Sequence, residues 1–466
     1  MLTELRGLNE ECGVFGVWNH PRAAQITYYA LHSLQHRGQE GAGIVVTDGE
    51  TLRIRKGQGL VTDVFSAECM EKLQGSHAIG HVRYSIGGVN GFENVQPLLF
   101  RSQNGDLAIA HNGSLTNAYD LRVVLEEEGS IFQTAADAEI LAHLAKRRGT
   151  GDSFADRMMT ALRQLEGSYA FVILTEDALY VALDPYGLKP LALGSLGEGY
   201  VVASETCAFD LIGAKYLRDV KPGEFITIDA RGVRGQIFSE PRRQALCSME
   251  YIYFSRPDSN LWGMNVHTAR KKLGKALARE YPIDADVVTG VPDSSLSAAI
   301  GYAEVTGIPY ELGLIKSRYI GRTFIEPSQS LREQGVKLKL SAVRGVVEGK
   351  RVVMVDDSCV RGTTSRRITS LLREAGATEV HVLIASPTIQ HPCYYGMDTL
   401  STDELVAAHH DVEEMRVLIG ADSLGFLSVE KMAEVFDCGL CLACFTGEYP
   451  TGEVEASVRC LQASGS

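Results

Sequence analysis

Val352–Ser365 reads VVMVDDSCVRGTTS, and the fold of the second half of the chain is read from it. Four apolar residues, three of them valines, form a buried strand of a parallel sheet. Asp356 and Asp357 come next, then Ser358 and the Arg361-Gly362-Thr363-Thr364 turn, then a helical pattern of Ile368, Leu371, Leu372 and Ala375. A loop of small and hydroxyl residues between a strand and a helix N-terminus offers free backbone N–H groups to a phosphate. Carboxylates at that strand's carboxyl end point at sugar hydroxyls, or at a magnesium ion beside them, where open α/β sheets take ligands. Two aspartates alone would be a solvated strand end. The full order, strand, DD, three residues, RGTT, helix, is what makes a site of them.

Outward from this stretch, DVVTGVPDSS, YELGLIK and VHVLIASP are further strands, alternating with helical patterns near Asn265–Tyr281, Leu296–Thr306 and Ser365–Ala375. That alternation predicts a parallel α/β domain. Ser294, between a strand and a helix, suits a metal or phosphate contact, and a plain helix N-cap fits it equally. Lys316–Phe324, KSRYIGRTF, sets Lys316, Arg318 and Arg322 around a glycine. Such a segment suits a lid that excludes water from a pyrophosphate; a solvated basic loop is its plainer alternative. Arg256, Lys337 and Lys339 are weaker candidates for phosphate or nucleotide contacts.

Residues 12–235 read differently. CGVFGVWN, GAGIVVTD, LAIAHNG, YAFVILT, LYVALD and YVVASE are short apolar runs spaced too closely for regular βαβ units, so a largely antiparallel arrangement is expected. Helices are expected around Ala23–Gln35 and Ala136–Lys146, and a domain boundary near Glu240–Gln244, where polar residues and a proline cluster.

The chain of 466 residues has room for two or three domains, and its 45% apolar content supports ordinary cores. A net charge of −13 argues against nucleic-acid or anionic-membrane partners. No apolar run reaches a membrane span, and the acidic start MLTELRGLNEE is too polar for a secretory signal. A cytoplasmic protein is expected, in which ten cysteines suggest thiol or metal chemistry before disulfides. Three of them stand in Cys438-x-x-Cys441-x-x-Cys444, with Cys247 and Cys393 as further thiols. Zinc and an iron–sulfur cluster both take four thiolates, and the residues do not choose between them.

The Val352–Ser365 order resembles the 5-phosphoribosyl-1-pyrophosphate (PRPP) signature of type I phosphoribosyltransferases. That likeness implies PRPP or phosphate contacts from Asp356, Asp357, Ser358, Arg361, Gly362, Thr363, Thr364, Lys316, Arg318 and Arg322, with Mg2+ at Ser294, Asp356 and Asp357. A second likeness centres on Cys12. With QHRGQEGAGI at Gln35–Ile44, Arg83 in HVRYS, Asn112-Gly113 in HNGSLTN and Asp137 in TAADAE, it resembles the glutaminase domain of N-terminal-nucleophile amidotransferases. There the nucleophile is the first residue of the mature chain, which implies a propeptide over 1–11. Its removal would free an α-amine, of ordinary pKa about 7.7–8.0, to act as base beside the thiol. The likeness gives Asn112 and Gly113 as oxyanion donors, Arg83 as partner of the glutamine α-carboxylate and Asp137 as holder of its α-ammonium.

Together these features cover nearly the whole chain and resemble the glutamine PRPP amidotransferase family, in its subclass with a propeptide and a 4Fe-4S cluster. The resemblance implies an N-terminal-nucleophile αββα sandwich over 12–240 and a type I phosphoribosyltransferase parallel α/β domain over 241–466, whose C-terminal segment binds the cluster. It gives Cys247, Cys393, Cys441 and Cys444 as cluster ligands and leaves Cys438 spare. It implies that glutamine is hydrolysed at Cys12 and that the ammonia displaces pyrophosphate from C1 of PRPP, giving 5-phosphoribosylamine for purine synthesis. Homotetramers and allosteric inhibition by purine nucleotides also belong to it. An amidotransferase making glucosamine phosphate or asparagine is disfavoured by the PRPP motif, and a non-enzymatic PRPP sensor by the Cys12 centre. The mature chain is expected to begin at Cys12: intact-mass measurement should show eleven residues missing, and full activity with residues 1–11 still attached would refute this.

Overall fold

The computed structural model describes residues 12–84, 91–103, 105–147, 153–240, 242–316, 340–397, 399 and 401–452. The propeptide expected over 1–11, Arg318, Arg322, Lys337 and Lys339 lie outside the described residues.

The first half is antiparallel throughout its two sheets, as the close spacing of its strands demands. One sheet runs, edge to edge, Lys215–Asp219, Ala192–Leu196, Gly199–Ala203, Gly13–Trp18, His77–Arg83, Gly41–Thr47 and Leu52–Gln58. The other runs Gly232–Ile237, Glu224–Asp229, Leu179–Leu183, Gly167–Leu174, Leu107–Leu115 and Leu98–Phe100. Val14, Val45 and Ile79 of the first meet Ala108, Val172 and Leu183 of the second in a fully buried layer. The opposite faces are covered by helices. Ala23–Ser33 packs on Phe15, Val17 and Ile44, while Asp137–Lys146 and Phe154–Leu162 pack on Ile109 and Phe171. Helix, sheet, sheet and helix are stacked in that order, because strands buried on both faces require a cover on each side.

The helix expected over Ala23–Gln35 ends at Ser33 and tightens into a 3-10 turn over Gln35–Arg37. That turn carries Arg37 inward, where its side chain is fully buried.

In the second half, strands Val287–Gly290, Arg351–Asp356, Glu379–Ile384 and Ser423–Phe426 form a parallel sheet in that order. Tyr310 bridges to Val288. Helices Val266–Glu280 and Leu296–Thr306 cover one face, and Thr363–Glu374 and Val412–Ile419 the other. The helix after Val287–Gly290 and the helix after Arg351–Asp356 therefore leave the sheet on opposite sides. Between the carboxyl ends of those two strands a crevice must open, the topological switch point of an open α/β sheet. Among the described residues no helix is long and apolar enough to cross a membrane.

Candidate functional site

A cleft of about 440 Å³ occupies the switch point. Asp356, Asp357, Ser358 and the turn Arg361–Thr364 line it, with Ser294 and Lys316 across from them. All described members of the sequence-derived phosphate set are thus brought together, and Arg256 joins them. Gly362 has φ +72° at the N-cap of the helix Thr363–Glu374, a left-handed conformation that a side chain would strain. It turns the chain so that the first turn of that helix begins at the cleft wall. Arg361 is held by Glu404 at 2.7 Å, so any anion arriving there would compete with that carboxylate for it.

Both aspartates are buried, at 6% and 7% exposure. The Ser295 hydroxyl donates to Asp356 at 3.0 Å and to Asp357 at 3.3 Å, and Ser358 donates to Asp357 at 2.7 Å. Ser294 also donates to Asp357. This corrects the N-cap alternative for Ser294. The cap position belongs to Ser295, whose hydroxyl caps nothing because the carboxylates attract it more strongly. Ser295 was not singled out from sequence; its place in the Ser294-Ser295 pair is the signal that could have found it. Burial raises Asp356 far above the carboxylate range, and the charge of Asp357 adds to it. Burial raises Asp357 too, while the hydroxyls of Ser294 and Ser358 and the buried Arg270 draw it back. Two buried carboxyls side by side retain a proton until a cation or a donor arrives. Two carboxylates and a hydroxyl are hard oxygen donors of the kind magnesium takes alongside substrate oxygens.

The second centre lies at the start of the strand Gly13–Trp18. The Cys12 Sγ donates to the Tyr84 carbonyl at 3.4 Å and accepts from the Tyr84 N–H at 3.5 Å. Arg83, the preceding residue, is 9% exposed. Burial lowers its pKa, against the favourable charges of Cys12, Glu40 and Glu93 around it. Asn112 is 1% exposed and its Nδ2 has no hydrogen-bond partner among the described residues. A buried amide donor left unpaired is costly unless a ligand uses it. Gly113 follows at φ +141°, where a Cβ would strike the Ser168 carbonyl, so its backbone lies close against the neighbouring strand. Asp137 opens its helix, and one oxygen accepts the Leu115 N–H at 2.8 Å. Burial pushes its carboxyl up to about 6. An ammonium arriving there would favour the ionised form.

Arg37 was quoted in a motif but given no role by sequence reasoning, and Glu205 and Glu250 were not noticed. The Arg37 guanidinium donates to the Cys12 carbonyl at 3.1 Å, to Glu205 at 2.7 Å and to both oxygens of Glu250 at 2.7 and 2.9 Å.

The thiols form a third group. Leu246–Cys247 pairs in parallel with Leu440–Cys441, setting Cys247 opposite Cys441. Burial pushes Cys441 up to about 12, with the neighbouring Cys393 adding to it. Burial also raises Cys444, to which Cys441 and Cys393 add. Cys247 and Cys393 pack on the apolar cluster that contains Cys444. Cys438 stands apart beside Tyr251. Among the described residues no group of three His, Cys, Asp or Glu side chains is placed to hold a metal ion.

Comparison with known proteins matches residues 81–210 to a glutamine amidotransferase domain and residues 264–403 to a phosphoribosyl transferase domain. An amidophosphoribosyltransferase of Bacillus subtilis is 65% identical over 459 residues, covering 97% of this chain and 96% of that protein. One from Staphylococcus aureus is 51% identical over 96% of this chain and 92% of its own length. The crystal structure of a B. subtilis glutamine PRPP amidotransferase complexed with ADP and GMP superposes with TM-score 0.91 at 64% identity, covering 96% of this chain and 98% of the other.

The raised Asp356 carboxyl has a consequence for stability. Its folded pKa lies above the unfolded value near 3.9, so the folded protein without ligands loses stability as pH rises above about 4. Asp356→Asn should therefore raise Tm at pH 7 and leave it nearly unchanged at pH 4. Thermal melts at the two pH values check this, and an equal Tm at pH 7 would refute it.

Proposed function

The chain belongs to the amidophosphoribosyltransferase family, and from that premise we propose which of its residues carry each half of the reaction. It is a glutamine-dependent enzyme of purine biosynthesis that joins a glutamine amidotransferase domain to a phosphoribosyltransferase domain. The observation that carries the assignment is the unpaired, buried Asn112 amide on the strand beside the Cys12 and Arg83 centre.

In the first half-reaction the Cys12 thiol, its proton taken by the α-amine freed on removal of residues 1–11, attacks the glutamine side-chain amide. The Asn112 amide and the Gly113 N–H receive the oxyanion, the largest single term in such acyl transfer. Arg83 pairs with the substrate α-carboxylate and Asp137 with its α-ammonium. Ammonia leaves, and water releases glutamate. The N-terminal unit is taken to span 12–240 and the acceptor unit 241–466.

In the second half-reaction Asp356 and Asp357 orient the ribose hydroxyls. Ser358 and the Arg361–Thr364 turn hold phosphate through hydroxyl and backbone N–H groups. Lys316, with Arg318 and Arg322 by their charge, would pair with the pyrophosphate, and ammonia displaces it at C1. Mg2+ at Ser294, Asp356 and Asp357 would neutralise charge on the departing pyrophosphate. Purine nucleotides as inhibitors, a homotetramer and a cytoplasmic setting complete the reading; the relative solved with ADP and GMP supports the first of these.

Cys247, Cys393, Cys441 and Cys444 are assigned to a 4Fe-4S cluster. The pairing of Cys247 opposite Cys441 and the influence of Cys393 and Cys441 on Cys444 support this, although the described thiols are not drawn together as a formed metal site; a structural or oxygen-sensing role follows, because neither half-reaction moves electrons. Anaerobically prepared protein should be brown, with about four irons per chain. Serine at any of the four should give unstable protein, whereas Cys438→Ser should be tolerated. Stoichiometric zinc without iron would refute the cluster.

The glutaminase assignment is tested by Cys12→Ala, which should abolish glutamine use and retain synthesis from free ammonia. Loss of both activities would count against it. Asp357→Ala should instead stop synthesis from either nitrogen source. The Asp137 carboxyl adds a pH signature. Because it must be ionised to hold the α-ammonium, KM for glutamine should rise as pH falls through about 6, while the ammonia-dependent rate shows no such step. A pH-independent KM would remove Asp137 from the site.

A further inference from the structure

The buried charges around Arg37 reach from one centre to the other. On one side, the guanidinium Nε holds the Cys12 carbonyl. Thiol and α-amine both hang on the Cα next to that carbonyl, so a hydrogen bond fixing the carbonyl fixes where both point. On the other side stand Glu205 and Glu250. Glu250 lies on the π-helix Glu250–Phe254, and its Oε2 accepts the Ser255 hydroxyl at 2.5 Å. Glu205 accepts the Arg256 N–H at 2.9 Å, the Ser259 hydroxyl at 2.7 Å and the His36 Nε2–H at 2.7 Å. His36, Ser255 and Arg256 line the cleft at the switch point. Each is thus one hydrogen bond from a carboxylate that grips Arg37, and Arg37 is one hydrogen bond from Cys12. The side chains of Arg37, Glu205 and Glu250 are all 0% exposed, so no water layer absorbs a displacement between them. A forked guanidinium gripping a carboxylate through two nitrogens also transmits rotation, which a single contact does not.

We propose that Arg37 is a positioning residue which, braced by Glu205 and Glu250, ties the Cys12 backbone to the wall of the PRPP cleft, so that filling the cleft changes the reactivity of the nucleophile. The inference rests on Cys12 being the glutaminase nucleophile. A ligand acts at a distance only through unequal affinity for two arrangements. Here the arrangements are two placements of the Ser255–Arg256 wall, and the bracket carries the difference to Cys12.

The test uses the full-length mature enzyme and an electrophilic glutamine analogue, a diazoketone, that alkylates the nucleophile. Labelling is followed by mass spectrometry with and without PRPP and magnesium. In the native enzyme PRPP should speed labelling of Cys12 about five-fold or more, the lower end of ordinary coupling between sites. Glu250→Gln keeps the shape of the side chain and leaves Glu205 to balance Arg37, so no buried charge is stranded. It should bring the ratio of rates with and without PRPP to about one, with ammonia-dependent synthesis within about two-fold of native. A purely structural defect would lower both labelling rates alike and leave their ratio intact. Should Glu250→Gln lose ammonia-dependent synthesis, Arg37→Lys decides, since it keeps the buried charge and removes the fork. A native-like ratio in the deciding variant, or a native enzyme indifferent to PRPP, overturns the bracket alone. Label found elsewhere than Cys12 overturns the nucleophile assignment first, and the bracket with it.

Discussion

The second half of the molecule depends on one constraint of chirality and connection. Parallel strands Val287–Gly290 and Arg351–Asp356 are neighbours, yet the helices that follow them pack on opposite faces. A right-handed crossover allows this only if the two loops part at the carboxyl ends of the strands. The parting makes the cleft. It also exposes at one point the first turn of Thr363–Glu374 and the hydroxyl of Ser294.

Placing Asp356 and Asp357 there has an electrostatic cost that the chain leaves standing. Their donors are three serine hydroxyls and the Asp357 N–H, while the buried Arg270 that acts on Asp357 by its charge has its guanidinium committed to the carbonyls of Tyr251, Tyr253 and Ser255. Hydroxyls stabilise a carboxylate far less than a cation does, so the pair keeps a raised proton affinity. Such a site is strained electrostatically as it stands, and a cation beside it would relieve the strain. The chain's net charge of −13 makes the local arginines and helix N-terminus matter more, since the overall field repels a pyrophosphate.

The acceptor site was legible because its parts are adjacent in sequence. Strand, aspartates, turn and helix fall within Val352–Ser365, and each leaves a local mark in residue type. The antiparallel layers of the first half were legible for the same reason, through strand spacing. Cys12, Arg83, Asn112 and Asp137 are dispersed, and only family resemblance assembled them. Arg37, Glu205 and Glu250 could not be read as a group. Arg37 lies 168 residues from one partner and 213 from the other, and a lone glutamate in an apolar run carries no sign of what it will face. For Ser294 the sequence left a ligand contact and a helix cap equally open, for a subtler reason. Local hydrogen-bond preference favours capping, but two buried carboxylates compete for the hydroxyls and win.

The thiols add a tie of a different kind. Cys247 stands at the entrance to the second unit and Cys441 near its end, yet their strands are paired in register. A two-residue parallel pair offers few hydrogen bonds against the entropy of closing a loop of roughly two hundred residues, about 5 kcal/mol in the chain-entropy model of a cross-link. The apolar cluster that buries Cys444, Phe445 and Met249 supplies part of the balance. Four thiolates bound to one centre would supply more, because binding energy at a site formed only in the folded chain is folding energy. The same segment reaches back to the first unit, where the Ser168 hydroxyl donates to the Tyr395 carbonyl at 2.6 Å. Ser168 lies on the strand paired with Asn112 and Gly113. The fold of the thiol region and the placement of Asn112 and Gly113 are therefore mechanically joined, and loosening the first should disturb the second even though no electron passes between them.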